Sequence, residues 1–296
     1  MRRRRPRTVL VPLLAALLSL PFAGCSLFGD VDLDVDGVRA AYVDVPTDAG
    51  RRDALVVEPD ALAAASDGST FPMVVALHGF RSDAEQMARI TGLPLEARDR
   101  RFLAVFGVGL DKSWNAGSCC GSSATDGVDD VAYLQALVLT MLSRYPVDRA
   151  RVYLLGYSNG AMLAYRFLCA SPAIVTSVAS VAGTNTTGCR MTEPRPFLQV
   201  SGDDDPIVPV DGSKVPTAPG VGPTPSVRLS VDGVADDLGC PRPTTLRLGP
   251  VVEQRRAPCR GGVEVVFDLV HAISHGWPVG GPFSTTRRVL QFWGLA

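Results

Sequence analysis

Lysine is almost missing from this chain: of 29 cationic side chains in 296 residues, only Lys112 and Lys214 are lysine. Histidine occurs three times, as His78, His271 and His275, and no Cys-x-x-Cys spacing exists. So few soft ligands argue against a zinc site, and no metal or cofactor is expected. Neither sign of charge is in excess, with 29 cations against 30 acids. A nucleic-acid binder carries a basic surplus, so that class is set aside. No internal repeat is visible. The most apolar stretch, residues 9–22, is 14 residues long and broken by Pro12 and Pro21, short for a bilayer span. With 46% apolar residues the chain is nevertheless too hydrophobic to stay disordered.

What is there begins with Arg2, Arg3, Arg4, Arg5 and Arg7, then the apolar stretch, then Phe22-Ala23-Gly24-Cys25. A basic start, a short apolar core and small residues before a cysteine predict a signal peptide over residues 1–24. Its end resembles a lipobox, which makes Cys25 the lipidated first residue of the mature chain. Twin-arginine export, and ordinary cleavage with Cys25 left as a thiol, are the competing readings. Removal of the leader with its five arginines leaves 272 residues with 24 cations against 30 acids. Residues 25–36 read as an acidic tether and 37–296 as one folded domain. The mature protein is expected outside the cytoplasm, at the membrane only through its lipid, and as a monomer. Six further cysteines in an oxidising compartment predict disulfides, and Cys240–Cys259 is the favoured pair because it closes a short late segment. No thiolate-stabilising group stands beside Cys119, Cys120 or Cys169 in sequence, so a catalytic thiol is set aside.

Residues 73–77, 102–106 and 151–155 are short continuous apolar runs, the pattern of strands covered on both faces. Further strands are expected at 175–181, 197–200 and 263–270. Helical spacing marks 129–143, capped by Asp129 or Asp130, and helices are also read at 161–169 and 285–295. Strands alternating with helices predict an α/β domain with a mostly parallel sheet covered by helices on both faces. The Pro- and Gly-rich stretch 212–226 reads as an exposed loop inside that domain.

Gly156-Tyr157-Ser158-Asn159-Gly160 is Gly-x-Ser-x-Gly after a buried strand and before a helix. In that setting it is a nucleophile elbow, and the fold is an α/β hydrolase. Ser158 is the candidate nucleophile and needs a base. Chain order in this fold is serine, acid, histidine, so the base lies at His271 or His275. His275, in Ser-His-Gly-Trp-Pro beyond the last strand, is preferred, with His271 as a partly buried strand-end residue. The acid belongs after the strand at 197–200, in Asp203-Asp204-Asp205-Pro206. Asp205 is chosen, held by Pro206 and anchored by Ile207 and Val208, and Asp203 and Asp204 are taken as solvated turn residues. A tetrahedral oxyanion needs two donors. The N–H groups of Asn159 and of Phe80, after Leu77-His78-Gly79, are the candidates, and His78 braces that turn.

Several motifs now stand in order: Leu77-His78-Gly79, Trp114-Asn115-Ala116-Gly117 with Cys119-Cys120-Gly121, Asp129-Asp130-Val131, the serine pentapeptide, Asp205-Pro206-Ile207-Val208-Pro209 and His275-Gly276-Trp277-Pro278. Together, from Phe71 onward, they resemble the secreted polyhydroxybutyrate depolymerase-like and feruloyl or acetyl-xylan esterase-like proteins. The resemblance implies an α/β hydrolase that cleaves carboxylic esters with Ser158, Asp205 and His275. It also implies that Trp114 and Asn115 lie near the active-site mouth; Tyr157 and Trp277 join them as candidate substrate-binding residues. The chain departs from the pattern in Ser201-Gly202 before the acid, in the length of the 212–226 insertion, and in Ala272-Ile273-Ser274 before the late histidine. These departures bear on the substrate. The expected partner is a small or polymeric ester. A serine peptidase on the same fold, and an anchored binding lipoprotein with a vestigial site, are the alternatives; amine release would mark the first and a lost triad member the second.

Overall fold

The computed structural model describes residues 31–65, 67–212, 224–278 and 283–296. The expected leader, Cys25 and most of the 212–226 loop lie outside the described residues. Ten strands form one sheet: β1 (Val38–Thr47), β2 (Gly50–Pro59), β3 (Phe71–Leu77), β4 (Leu103–Gly107), β5 (Val147–Tyr157), β6 (Ser177–Val181), β7 (Phe197–Gly202), β8 (Thr244–Leu248), β9 (Val251–Arg256) and β10 (Val265–Val270). Their spatial order is β1-β2-β4-β3-β5-β6-β7-β10-β9-β8. The six central strands, β4 through β10 in that order, run parallel, and the pairs β1-β2 and β9-β8 add antiparallel edges. This is the architecture the alternating runs predicted, an α/β-hydrolase sheet.

Side chains of a strand alternate faces, so a sheet covered on both sides needs apolar residues at every position. In β3, Met73, Val75 and Leu77 enter one core cluster and Val74 and Ala76 the other. The first cluster is closed by helices α5 (Asp130–Arg144), α6 (Asn159–Ala170) and α7 (Val227–Asp237), the second by α2 (Ala84–Thr91), α3 (Leu93–Arg100) and α8 (Thr285–Phe292). Two short helices, α1 (Asp60–Ala63) and α4 (Gly121–Thr125), complete the set among the described residues. Of the two capping candidates, Asp129 caps α5 by accepting the Ala132 N–H at 3.0 Å. Asp130 is instead buried and pairs with Arg52 at 2.7 Å. The helix expected at 161–169 starts two residues earlier, at Asn159, immediately after Ser158.

The six described cysteines form three disulfides, Cys119–Cys120, Cys169–Cys189 and the expected Cys240–Cys259. The second ties the end of α6 to the segment after β6, and the third ties the segment after α7 to that after β9.

His78, at the end of β3, is buried. Its Nε2 accepts the Gly109 N–H at 3.1 Å, so Nδ1 carries the proton and donates to the Gly79 carbonyl at 2.8 Å. Burial holds its pKa down at about 4, against an ordinary 6.5, and the ring is neutral at pH 7. It braces the turn as expected. The unfolded chain takes up a proton near pH 6.5 that the folded chain refuses until about pH 4. Stability present above pH 6.5 is therefore lost as pH falls toward 4. Between about pH 7.5 and pH 5 the loss is expected to be about 2 kcal/mol. Urea unfolding at the two pH values checks this, with His78→Gln expected to lose less than the wild type.

Candidate active site

The site stands at the carboxyl ends of the parallel strands, where loops leave the sheet. Ser158 joins β5 to α6 with φ 53° and ψ −118°, a conformation that side chains rarely adopt. The surroundings impose it. A β-carbon on Gly156 would lie 2.6 Å from the Ala161 nitrogen, and one on Gly160 would lie 2.6 Å from the His78 carbonyl oxygen. Only glycine lets the helix come this close to the strands, which explains the spacing of the pentapeptide. The Ser158 N–H donates to the Val181 carbonyl at the end of β6 at 2.9 Å, fixing the tip.

Facing Ser158 is His275, on the segment after β10. Its Nε2 lies 2.9 Å from Ser158 Oγ, and its Nδ1 lies 2.8 Å from Asp205 Oδ2. Asp205, after β7, is buried, and its other oxygen accepts the N–H groups of Ile207 and Val208 at 2.8 and 2.9 Å. Pro206 thus precedes an anchor of two backbone donors, which hold the carboxylate at one angle.

The Asp triplet divides its work. Asp203, expected to be solvated, meets His271 Nδ1 at 2.5 Å and the Ala272 N–H at 2.8 Å. His271, expected to be partly buried, is exposed, one residue beyond the end of β10 at Val270. The acids thus pair with the two late histidines separately, Asp203 with His271 and Asp205 with His275.

Phe80 and Asn159 stand on either side of the elbow, one after β3 and the other opening α6. Among the described residues their N–H groups donate to no protein acceptor. The Asn159 side chain is buried and points inward: its Oδ1 accepts the Trp114 N–H at 2.8 Å and its Nδ2 donates to the Trp114 carbonyl at 3.0 Å. The Trp114 indole N–H donates to the His78 carbonyl at 2.9 Å. Trp114 therefore ties the two sides of the elbow together. It is not at the mouth, contrary to expectation, and is fully buried between His78 and Tyr133. Asn115 is buried as well, its N–H given to Asp130 at 2.7 Å and its Nδ2 to the Val128 carbonyl at 2.8 Å. An indole and an amide that satisfy the chain's own polar groups have nothing left for a substrate.

Tyr157 and Trp277 do line the cavity over Ser158, about 740 Å³ in volume. The Tyr157 ring stacks on His275 with centroids 5.6 Å apart and meets Trp277 edge-on at 5.9 Å. Burial pushes the Tyr157 hydroxyl up to about 12, so it stays neutral. Arg81, Gln86, Arg89 and Ile90 also line the cavity and went unnoticed in the sequence. The signal was present in chain order: the segment after Phe80 reaches α2 at Ala84, four residues on. Arg52, on β2, was missed too. It pairs with buried Asp130 and lies over the Tyr133 ring at 3.7 Å, beneath Trp114.

Elbow, parallel sheet and strand-end site define an α/β hydrolase. The family model described as "Esterase PHB depolymerase" matches residues 54–219. A protein of Nocardia uniformis subsp. tsuyamanensis named "Putative esterase NocK" is 31% identical over 236 residues, 72% of this chain and 67% of that one. Feruloyl esterase C of Emericella nidulans is 31% identical over 93 residues, 31% of this chain and 34% of that one. Among solved structures, an acetyl xylan esterase from Aspergillus awamori superposes with a TM-score of 0.59 at 13% identity, over 86% of this chain and all of that one, a likeness of fold. The chain belongs to the Esterase PHB depolymerase family and is a carboxylic ester hydrolase.

Proposed function

We propose that the chain is a serine esterase. Ser158 Oγ attacks the carbonyl carbon of an ester, and His275 Nε2 takes its proton and passes it to the leaving alcohol oxygen. Asp205 keeps the imidazole proton on Nδ1, so that Nε2 presents its lone pair to the serine. The N–H groups of Phe80 and Asn159 receive the negative oxygen of the tetrahedral state. Water, giving its proton to His275 Nε2, then attacks the acyl carbon; the bond to Ser158 Oγ breaks, Oγ takes that proton back from His275, and the acid is released. The observation that carries this reading is the chain of contacts Asp205–His275–Ser158 at a strained elbow, 2.8 and 2.9 Å in length.

Feruloyl esters, acetylated polysaccharide and short 3-hydroxyalkanoate oligomers are the candidate substrates. The protein, produced in an oxidising host, is given methyl ferulate, acetylated xylan and a 3-hydroxybutyrate oligomer, with acid release followed by chromatography. Release from one of them, absent in Ser158→Ala, is expected. No release from any, nor from an activated acetate ester, overturns the reading. The leader pattern and the disulfides support a domain at 37–296 held outside the cytoplasm by the 25–36 tether, with the lipid on Cys25.

In this mechanism Trp114 is a positioning residue, setting the distance between the two oxyanion donors. Trp114→Phe keeps the ring packing and removes the bond to the His78 carbonyl. Its kcat is expected to fall on the order of tenfold, equivalent to about 1.4 kcal/mol, with KM within about twofold. Steady-state kinetics on a neutral ester checks the split. An unchanged kcat removes Trp114 from this role.

A further inference from the structure

The cavity beside Ser158 has a charged wall with one open place. Its described lining holds two cations, Arg81 and Arg89, and no carboxylate. Arg89 is engaged: it donates to the Asp32 carbonyl at 3.1 Å and lies 3.6 Å from Asp34 and 3.9 Å from Glu85. The acids beside this wall are engaged too. Asp83 takes Lys112 at 2.9 Å and the Gln86 N–H at 2.9 Å, and Glu85 takes the Tyr42 hydroxyl at 3.2 Å. The exposed Arg81 guanidinium has no carboxylate partner among the described residues. Its one described contact is with the face of the Phe80 ring, 5.1 Å from the centroid. Its backbone, at φ 62°, is held by an N–H bond to the Lys112 carbonyl at 2.8 Å. Ile90, Tyr157 and Trp277 line the same cavity.

We propose that this site takes esters that carry a carboxylate away from the scissile bond, and that Arg81 selects them. The proposal rests on the esterase reading of Ser158 and names its substrate class. An ester whose chain lies along Ile90, Tyr157 and Trp277 presents its far end to Arg81, the cation of the described lining with no carboxylate partner. Arginine suits that end, since its planar fork binds both carboxylate oxygens, and the Arg81 guanidinium lies over the Phe80 ring. Phe80 itself supplies a proposed oxyanion donor, so Arg81 follows that donor directly in the chain and lines the same cavity as Ser158. A neutral ester gains nothing from this wall. The carboxylate can sit on the acyl side, as in a half-ester of a dicarboxylic acid, or on the alcohol side, as at the free end of a hydroxyacid oligomer.

Two substrate pairs separate these sources. On the acyl side, 4-nitrophenyl hydrogen adipate is compared with its methyl ester; on the alcohol side, the butyrate of 6-hydroxyhexanoic acid is compared with that of its methyl ester. The quantity read is the ratio of kcat/KM, anionic over neutral, in wild type, Arg81→Lys and Arg81→Gln. Both variants face the same positive φ, so comparing them isolates the charge. In at least one pair the ratio is expected to fall about fivefold or more in Arg81→Gln and about twofold or less in Arg81→Lys. Salt at about 0.5 M should lower the wild-type ratio and leave that of Arg81→Gln in place. Equal ratios in all three proteins overturn the proposal. A second arm needs no turnover: titration calorimetry of monomethyl adipate into Ser158→Ala and into Ser158→Ala/Arg81→Gln. Weaker binding in the double variant supports the anion site even if no ester is cleaved, which would sink the esterase reading alone. Equal binding counts against the anion site whatever the kinetics of Ser158.

Discussion

Ser158→Ala is expected to lower kcat by a factor on the order of 10⁵ to 10⁶, with KM within a few fold. The loss is this large because in the proposed mechanism the Ser158 oxygen supplies the bond-forming atom, which neither His275 nor Asp205 can replace. What remains in that mechanism is water attack on an ester held at the proposed donors, the Phe80 and Asn159 N–H groups. The fold should survive. The Ser158 N–H bond to the Val181 carbonyl does not involve the side chain, and the strained φ of 53° is set by the close approach of Gly156 and Gly160 to their neighbours. Alanine meets the same strain as serine. The thermal midpoint is therefore expected to stay within a few degrees of the wild type, and kinetics and melting together separate a lost nucleophile from a lost fold. Activity above about one per cent in the variant would place the nucleophile elsewhere.

The legible parts of this protein are those where one physical demand dominates. Strands β3 and β5 are covered on both faces, so they read as unbroken apolar runs. The elbow needs two glycines at fixed offsets from a serine. The edge elements answer to weaker demands. Every residue of β8 is exposed, and its place comes from pairing with β9, which leaves no apolar pattern. The β1-β2 hairpin carries Arg39, Asp44, Arg51 and Asp53 among its apolar residues, because one edge faces water. The site shows the same divide. Ser158, Asp205 and His275 could be chosen from chain order and three histidines, but the pairing of Asp203 with His271 could not, since three adjacent carboxylates look alike until the two segments meet. Trp114 misled for another reason. Its neighbourhood in sequence says that it is close to the site, and only the packing of α5 and Arg52 beneath it says on which side. Arg81 carried no motif, and its meaning depends on which nearby acids already have partners.

Asp205→Asn, one atom from the wild type, is expected to cost about 10⁴ in kcat with KM little changed. The argument starts from the anchored oxygen. Oδ1 accepts two backbone N–H groups, from Ile207 and Val208, and both still require an acceptor in the variant. The amide must therefore keep its oxygen there and turn its NH₂ group toward His275. An NH₂ group can only donate, so Nδ1 must offer a lone pair and the imidazole proton moves to Nε2. That proton then faces Ser158 Oγ across 2.9 Å, and the base has nothing with which to accept the serine proton. Asp205→Ala is a poorer test, since it leaves two buried donors unsatisfied and costs stability as well as activity. Asp203→Asn is the matched control. It disturbs an exposed pair with His271, and its effect on kcat is expected to stay within about threefold. The two variants differ by one atom from the same parent at positions two residues apart. If both cost the same, the loop as a whole is being disturbed and the tautomer argument fails. If Asp205→Asn costs under about tenfold, another group holds the His275 proton, and the acid of this site is not Asp205.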